Sequence, residues 1–416
     1  MAGLVKHYQN DMQGIPQLTN AWGCMINLLD AVLITGFNFR PVLGLSKAST
    51  ESLTATISLA TGHGFIARQV VRIKDSTNGW NGDFKVLSVT ASSITVECLS
   101  SHPTTISGTA QIFTSPLDWE IVFSTGAGSA EPKRAYRSTH PNSLGLILLV
   151  HDFCVSGAAA TGAKFAKVGL VSSMSDINTI TGTQMPFDGS NPNANWGWDG
   201  TYHGWAKWYY KVANGPNSNQ ILADSDTPDP VASSYTIIGD DLNGFAVAIN
   251  RYAVQNSVSV GALYGFFEFD DLKLLSRNAY LMCFGVPRRV PQSFYGPLYA
   301  RGGLAMFGLA LDDTLTNVIG QPKGLLWFDK DGLNLNNSLL RPPHLDVFDA
   351  AYDAYASFMI LDTSNNLRGI LPFVRASTRR SNTLGVDAHY GKYRNEYYFY
   401  TSSTYCARYF ILMESV

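Results

Sequence analysis

Apolar residues first recur at three- and four-residue spacings between about Ala21 and Thr35, where Trp22, Met25, Ile26, Leu29, Val32 and Leu33 fall on one broad face. The spacing predicts a helix there, with Asn20 as N-cap and Gly36 as terminator. Such a face must be covered, by the chain's own sheet or by a neighbouring subunit. Trp22, Met25, Ile26, Leu29 and Leu33 are therefore candidate interface residues.

From residue 46 the period drops to two. Leu53–Ile57, Gln69–Ile73, Phe84–Val89, Ser93–Glu97 and Thr109–Phe113 alternate as half-buried strands. Between them lie Gly62-His63-Gly64, Asn78-Gly79, Asn81-Gly82 and Ser107-Gly108, residue types that tolerate positive φ and so form turns. A run of this kind makes a small β-sandwich or barrel. After Pro116 the pattern remains β, with longer loops and more aromatics. Strands are expected at Trp119–Ser124, Leu144–Phe153, Phe165–Leu170, Ala206–Val212, Gly244–Asn250, Leu263–Phe269, Tyr280–Phe284, Ala305–Leu311, Leu325–Phe328, Ser357–Asp362, Tyr397–Tyr400 and Tyr405–Leu412, with a helical turn or two within His344–Tyr355. The fold class is mainly β: an N-terminal segment (1–45) carrying the helix, a small β module (46–116), and a larger β-sandwich-rich region (117–416) that has room for two subdomains. Long polar or proline-rich loops at Pro186–Asn195, Asn214–Ser234 and Pro287–Pro297 are expected to contact partners.

Composition shifts this picture toward assembly. Of 416 residues 45% are hydrophobic, yet only 15% are charged, so the surface lacks the charges that keep proteins apart. A net charge of −2 without long basic runs argues against a nucleic-acid partner. The five cysteines, Cys24, Cys98, Cys154, Cys283 and Cys406, have no metal or redox spacing and sit in apolar surroundings, as reduced core residues do. Neither a signal-peptide core nor a membrane-length apolar run is present.

The order Gly62-His63-Gly64-Phe65, Val70-Val71-Arg72-Ile73, Asn81-Gly82-Asp83-Phe84, Val86–Val89 and Ile94-Thr95-Val96 resembles a small β module of phage tail, baseplate and fibre proteins. Trp119–Ser124 followed by Lys133–Ser138 is similar to segments of virion proteins from phage structural gene clusters. The resemblance implies a structural component of a tailed-phage virion, in the tail, baseplate or neck, with other virion proteins and symmetric copies of itself as partners. It carries over no catalytic residue.

The densest chemical feature is the aromatic cluster Trp196, Trp198, Tyr202, Trp205, Trp208 and Tyr210, with Asp199 and His203 among its rings. Exposed rings would stack on sugars, which keeps a receptor- or glycan-binding appendage as the alternative function. Within it Trp205, Lys207 and Tyr209 alternate with Ala206, Trp208 and Tyr210, the pattern of a strand with one packed face. The acidic pairs Asp240-Asp241, Asp270-Asp271 and Asp312-Asp313 are scattered and turn-like, and Asp224-Ser-Asp226 fails the calcium-loop pattern. A polysaccharide-degrading spike would need two converging carboxylates. His63 and His151 read as structural hydrogen-bonding residues. With no nucleophile elbow, zinc motif or phosphate loop, the expectation is a non-enzyme without metal or cofactor.

Overall fold

The computed structural model describes residues 4–153, 162–185, 206–211, 228, 230–252 and 259–282, together with strands at 284–285, 306–309, 355–361, 367–377, 393–402 and 405–412. The described residues are mostly antiparallel β-sheet with one short helical segment. The expected strand at 325–328, the helical turn at 344–354 and most of the three long loops lie outside the described residues.

Two sheets form the sandwich. The first runs in the order Lys6–Gln9, Ser234–Asp240, Gly244–Tyr252, Ser259–Asp271, Ser276–Met282, Met306–Leu309. The second runs Phe284–Gly285, Ala206–Tyr209, Phe165–Val171, Ile147–His151, Lys133–Ser138, Trp119–Ser124. Tyr235, Ile237, Phe245, Val247 and Phe266 of the first share one core with Tyr136, Leu148, Val150, Val168 and Trp208 of the second. Ile147 and Leu149 point the other way, into a smaller cluster with Ala135 and Val171. A continuous apolar run is what a strand covered on both faces requires, which is why 144–150 shows no alternation.

The N-terminal helix fills the same core. Met25, Ile26, Leu29 and Leu33 are fully buried and Trp22 is partly buried against them. Of the two covers expected for this face, the chain's own sheets supply one. The helix is also shorter than its periodicity predicts: an α-helix at Cys24–Leu29 passes into a π-helix at Asp30–Thr35. Gly36 ends it, its N–H donating to Ala31 O at 2.8 Å. Its φ is +72°, and a Cβ there would collide with Thr114 O, so only glycine fits.

The small module is a closed barrel. Its strands follow the order Phe37–Pro41, Gly108–Thr114, Val70–Ser76, Gly82–Val89, Ser93–Glu97, Thr54–Ser58, Gly44–Lys47. The two ends of that path are consecutive in sequence. Between them Val42 N donates to Ala110 O (2.9 Å) and Leu43 N to Ser58 O (3.0 Å), closing the sheet on itself. Closure removes the free edges a small sheet would otherwise expose. Its own core holds Ile57, Phe65, Val71, Trp80, Phe84, Ile94 and Ile112. Two of its strands begin before residue 46.

Barrel and sandwich are clasped by charge. Lys6, on the sandwich's edge strand, places Nζ 2.7 Å from Asp83 Oδ2 and donates to Ser115 Oγ (2.9 Å) and Pro116 O (2.5 Å). Arg72 binds Asp83 through Nε (2.6 Å) and Nη2 (2.9 Å), and binds Asp118 through Nη1 (2.6 Å) and Nη2 (2.5 Å). Gln13 adds a second tie: its amide donates to Gly62 O (3.2 Å) and accepts from Arg40 Nη2 (2.6 Å). A side chain at Gly64 (φ +74°) would strike Gln13, so the glycine beside His63 makes the seat for the N-terminal segment. A fourth sheet, ordered Tyr355–Leu361, Leu367–Ser377, Tyr405–Leu412, Tyr393–Ser402, joins the sandwich through a buried ion pair, Arg368 Nη2 to Asp271 Oδ2 at 2.6 Å.

Burial works to raise the Asp83 carboxyl, but the hydrogen bonds of Arg72 and Lys6 hold it below the usual carboxylate range. A depressed native pKa gives stability that is present above the unfolded value of about 4 and is lost as pH falls through the native one. Thermal melts in acid should therefore show a fall below about pH 4 that is shallower in Asp83→Asn. Lys6→Met, which strips one charged partner from a half-buried anion, should cost about 2 kcal/mol in denaturant titrations at pH 7.

Candidate functional site

The described part of the aromatic cluster is one short strand, Ala206–Tyr209, and the residues just after it. Trp196, Trp198, Tyr202 and Trp205 lie outside the described residues. Trp208 points into the sandwich, its ring edge-on to Phe245 at 6.0 Å and stacked near Tyr264 at 6.3 Å. Its Nε1 donates to Met282 O at 2.9 Å. Tyr210, two residues on, is fully buried. Neither ring is open to a ligand, and both serve the core, as the alternation of the strand requires.

Lys207 takes the opposite face from Trp208, while Tyr209 is enclosed in the same core. Lys207 Nζ sits 4.6 Å from the centre of the Phe165 ring and 5.9 Å from that of Tyr209. The register continues this face across the sheet: Lys207 lies opposite Lys167, Lys167 opposite His151, and His151 opposite Lys133. Four neighbouring strands thus carry a row of basic side chains, of which His151, Lys167 and Lys207 are buried. Burial, with Lys133 and Lys167 beside it, pushes the His151 imidazole down to about 3. Glu131, 3.8 Å from Nε2 and 38% exposed, is too distant and too well solvated to hold a proton on the ring. His151 is a neutral structural residue at pH 7. His63 serves a structural hydrogen-bonding role too: its Nδ1 accepts from Phe65 N (3.1 Å), and its Nε2 lies 2.9 Å from Thr90 O.

The group that organises this region is Asp152, which follows the apolar run of Ile147–His151 and is fully buried. Met25 N donates to its Oδ2 at 2.8 Å, and the Tyr210 hydroxyl to its Oδ1 at 2.6 Å. The N–H groups of Gly23 and Ile26 also donate to it. A carboxylate 127 residues away in sequence therefore does the work expected of Asn20. The N-cap position itself is Gly23, which has no side chain to contribute. Burial pushes the carboxyl up to about 7 against the pull of Tyr210 and the helix N–H groups. Cys24 lies alongside; burial and the neighbouring Asp152 push its thiol up, so it is a buried thiol rather than a nucleophile. Asp240 and Asp271, two of the acidic candidates, instead cap turns: Asp240 Oδ1 accepts from Leu242 N (3.0 Å), and Asp271 Oδ1 from Lys273 N (2.9 Å).

Among the described residues no group of three or more His, Cys, Asp or Glu converges as a metal site, and no helix is long and apolar enough to cross a membrane. No known protein family matches the chain, and no curated protein matches it. Among solved structures it is similar to the phage phi92 endosialidase, with a TM-score of 0.17 and 10% identity over 62% of this chain and 48% of that one. A likeness of that size carries no structural argument.

Asp152→Asn replaces a carboxyl whose two oxygens both face donors by an amide whose Nδ2 meets an N–H or O–H donor. It should destabilise the protein by about 2 kcal/mol in chemical denaturation, with loss of helical signal in circular dichroism. Trp208→Ala should cost about 4 kcal/mol by the same measurement, because it empties a fully enclosed indole site and strands the Met282 carbonyl. For His151, whose native value of about 3 lies below the unfolded value of about 6.5, stability should rise with pH between those limits, and His151→Gln should flatten that rise.

Proposed function

We propose that this chain is a structural component of a tailed-phage virion, in the tail, baseplate or neck, acting through protein–protein assembly rather than catalysis. One observation carries the reading. The segment that resembles the phage β module is a closed barrel, and its own residues Arg72, Asp83, Gly62 and Gly64 clasp it to the N-terminal segment of the sandwich. A barrel fixed in this way passes load and orientation to the sandwich, which a particle subunit requires and a tethered binding domain does not. The low charge of the chain supports the same reading, since subunit contacts bury surface that charge would make costly to dry.

The partners in this reading are other virion proteins and symmetric copies of the chain, and the destination is the particle. Mass spectrometry of purified particles from the source, with light scattering of the isolated protein, tests it. The expected result is the chain in the particle at a fixed copy number. Its absence from every particle, with a stable monomer in solution, would overturn the reading.

A further inference from the structure

The barrel's outer face exposes an aromatic platform that its fold does not need. Phe39 is 48% exposed while its ring stacks on Phe113, which is 6% exposed, at 4.6 Å and 19°. One face of Phe39 is thus supported by protein and the other is open. The backbone that presents it is irregular: pairing with Gly108–Thr114 slips between Phe37 and Arg40, and Asn38 sits at φ +57°. A bulge re-aims side chains, and a left-handed non-glycine residue persists only where its surroundings hold it. Asn38 is held on both sides, donating from Nδ2 to His63 O (2.9 Å) and accepting at Oδ1 from Arg40 Nε (2.9 Å). The fold therefore spends conformational freedom to keep a large apolar ring in water.

A cation stands beside the platform. Lys74 Nζ is 5.3 Å from the centre of the Phe39 ring and 5.6 Å from that of Phe113, and it forms no ion pair among the described residues. Its cross-strand neighbour is Gln111, itself opposite Pro41, and both are exposed. The patch thus offers a flat ring face, an ammonium at its margin and an amide able to donate and accept. Those are the complements of a pyranose that carries a carboxylate: C–H groups for the ring, a charge for the lysine, hydroxyls for the glutamine.

We propose that Phe39, Phe113, Lys74 and Gln111 form a binding site for carboxylate-bearing glycans, of the uronic- or sialic-acid class. The site is independent of the virion reading and of the aromatic strand at Trp208. The test is a glycan array that spans uronic-acid, sialic-acid and neutral oligosaccharides, probed with the purified full chain, followed by calorimetry on the acidic glycans bound. Binding confined to acidic glycans, weakened at least tenfold by Phe39→Ala and made indifferent to the carboxylate by Lys74→Gln, supports the site. Both positions are on the surface, and an unchanged melting temperature shows that the variants are folded. Failure of the native chain to bind any acidic glycan overturns it, as does binding that Phe39→Ala leaves intact. So does a change of oligomeric mass in Phe39→Ala without glycan binding, which would make the platform a contact between copies.

Discussion

A lysine ammonium cannot leave water unless oxygen atoms replace it, and the position of Lys6 makes that requirement architectural. Lys6 belongs to the edge strand of the sandwich, yet the oxygens around it come from Asp83 of the barrel and from Ser115 and Pro116 of the segment that returns to the sandwich. Arg72 then bridges Asp83 to Asp118, so two cations and two carboxylates are satisfied only when barrel, returning segment and edge strand sit together. Tyr8, two residues on, donates to Ser115 O at 2.7 Å and buries its ring in the sandwich core. The orientation of the barrel follows from the cost of leaving any of these charges alone.

The same logic recurs at Asp152 and Asp271. Each is a buried carboxylate with a partner from a distant part of the chain, a helix N-terminus and Tyr210 in one case, Arg368 in the other. Hydrophobic burial is non-directional and would tolerate many arrangements of these sheets. Buried polar groups are not so tolerant, because each must meet its partner at hydrogen-bond distance. In this protein the apolar core supplies the drive to collapse, and a few enclosed charges select how the sheets, helix and barrel are arranged.

Function is read through that division. Residues that look chemically active in isolation, such as Cys24, His63, His151, Asp152 and Asp271, are absorbed into the framework. Trp208 and Tyr210 are absorbed likewise. Groups that the framework leaves over, chiefly Phe39 with Lys74, are where a ligand would find both surface and charge.

Period-two alternation and its turn residues determined the barrel strands from Thr54 to Thr114 and the strand at Trp119–Ser124, because an exposed strand face and a buried one leave opposite marks on successive residues. Helical spacing likewise determined which residues at 22–33 are apolar on one side. Sequence could not register Lys6–Gln9 as a strand: Lys-His-Tyr-Gln has no apolar alternation, and all four are buried through partners far along the chain. Nor could it tell that Asp152 rather than Asn20 caps the helix, since local pattern carries no information about a partner 127 residues away. Phe39 shows the same limit from the other side. Its exposure depends on a bulge and a left-handed asparagine that only the closure of the barrel imposes.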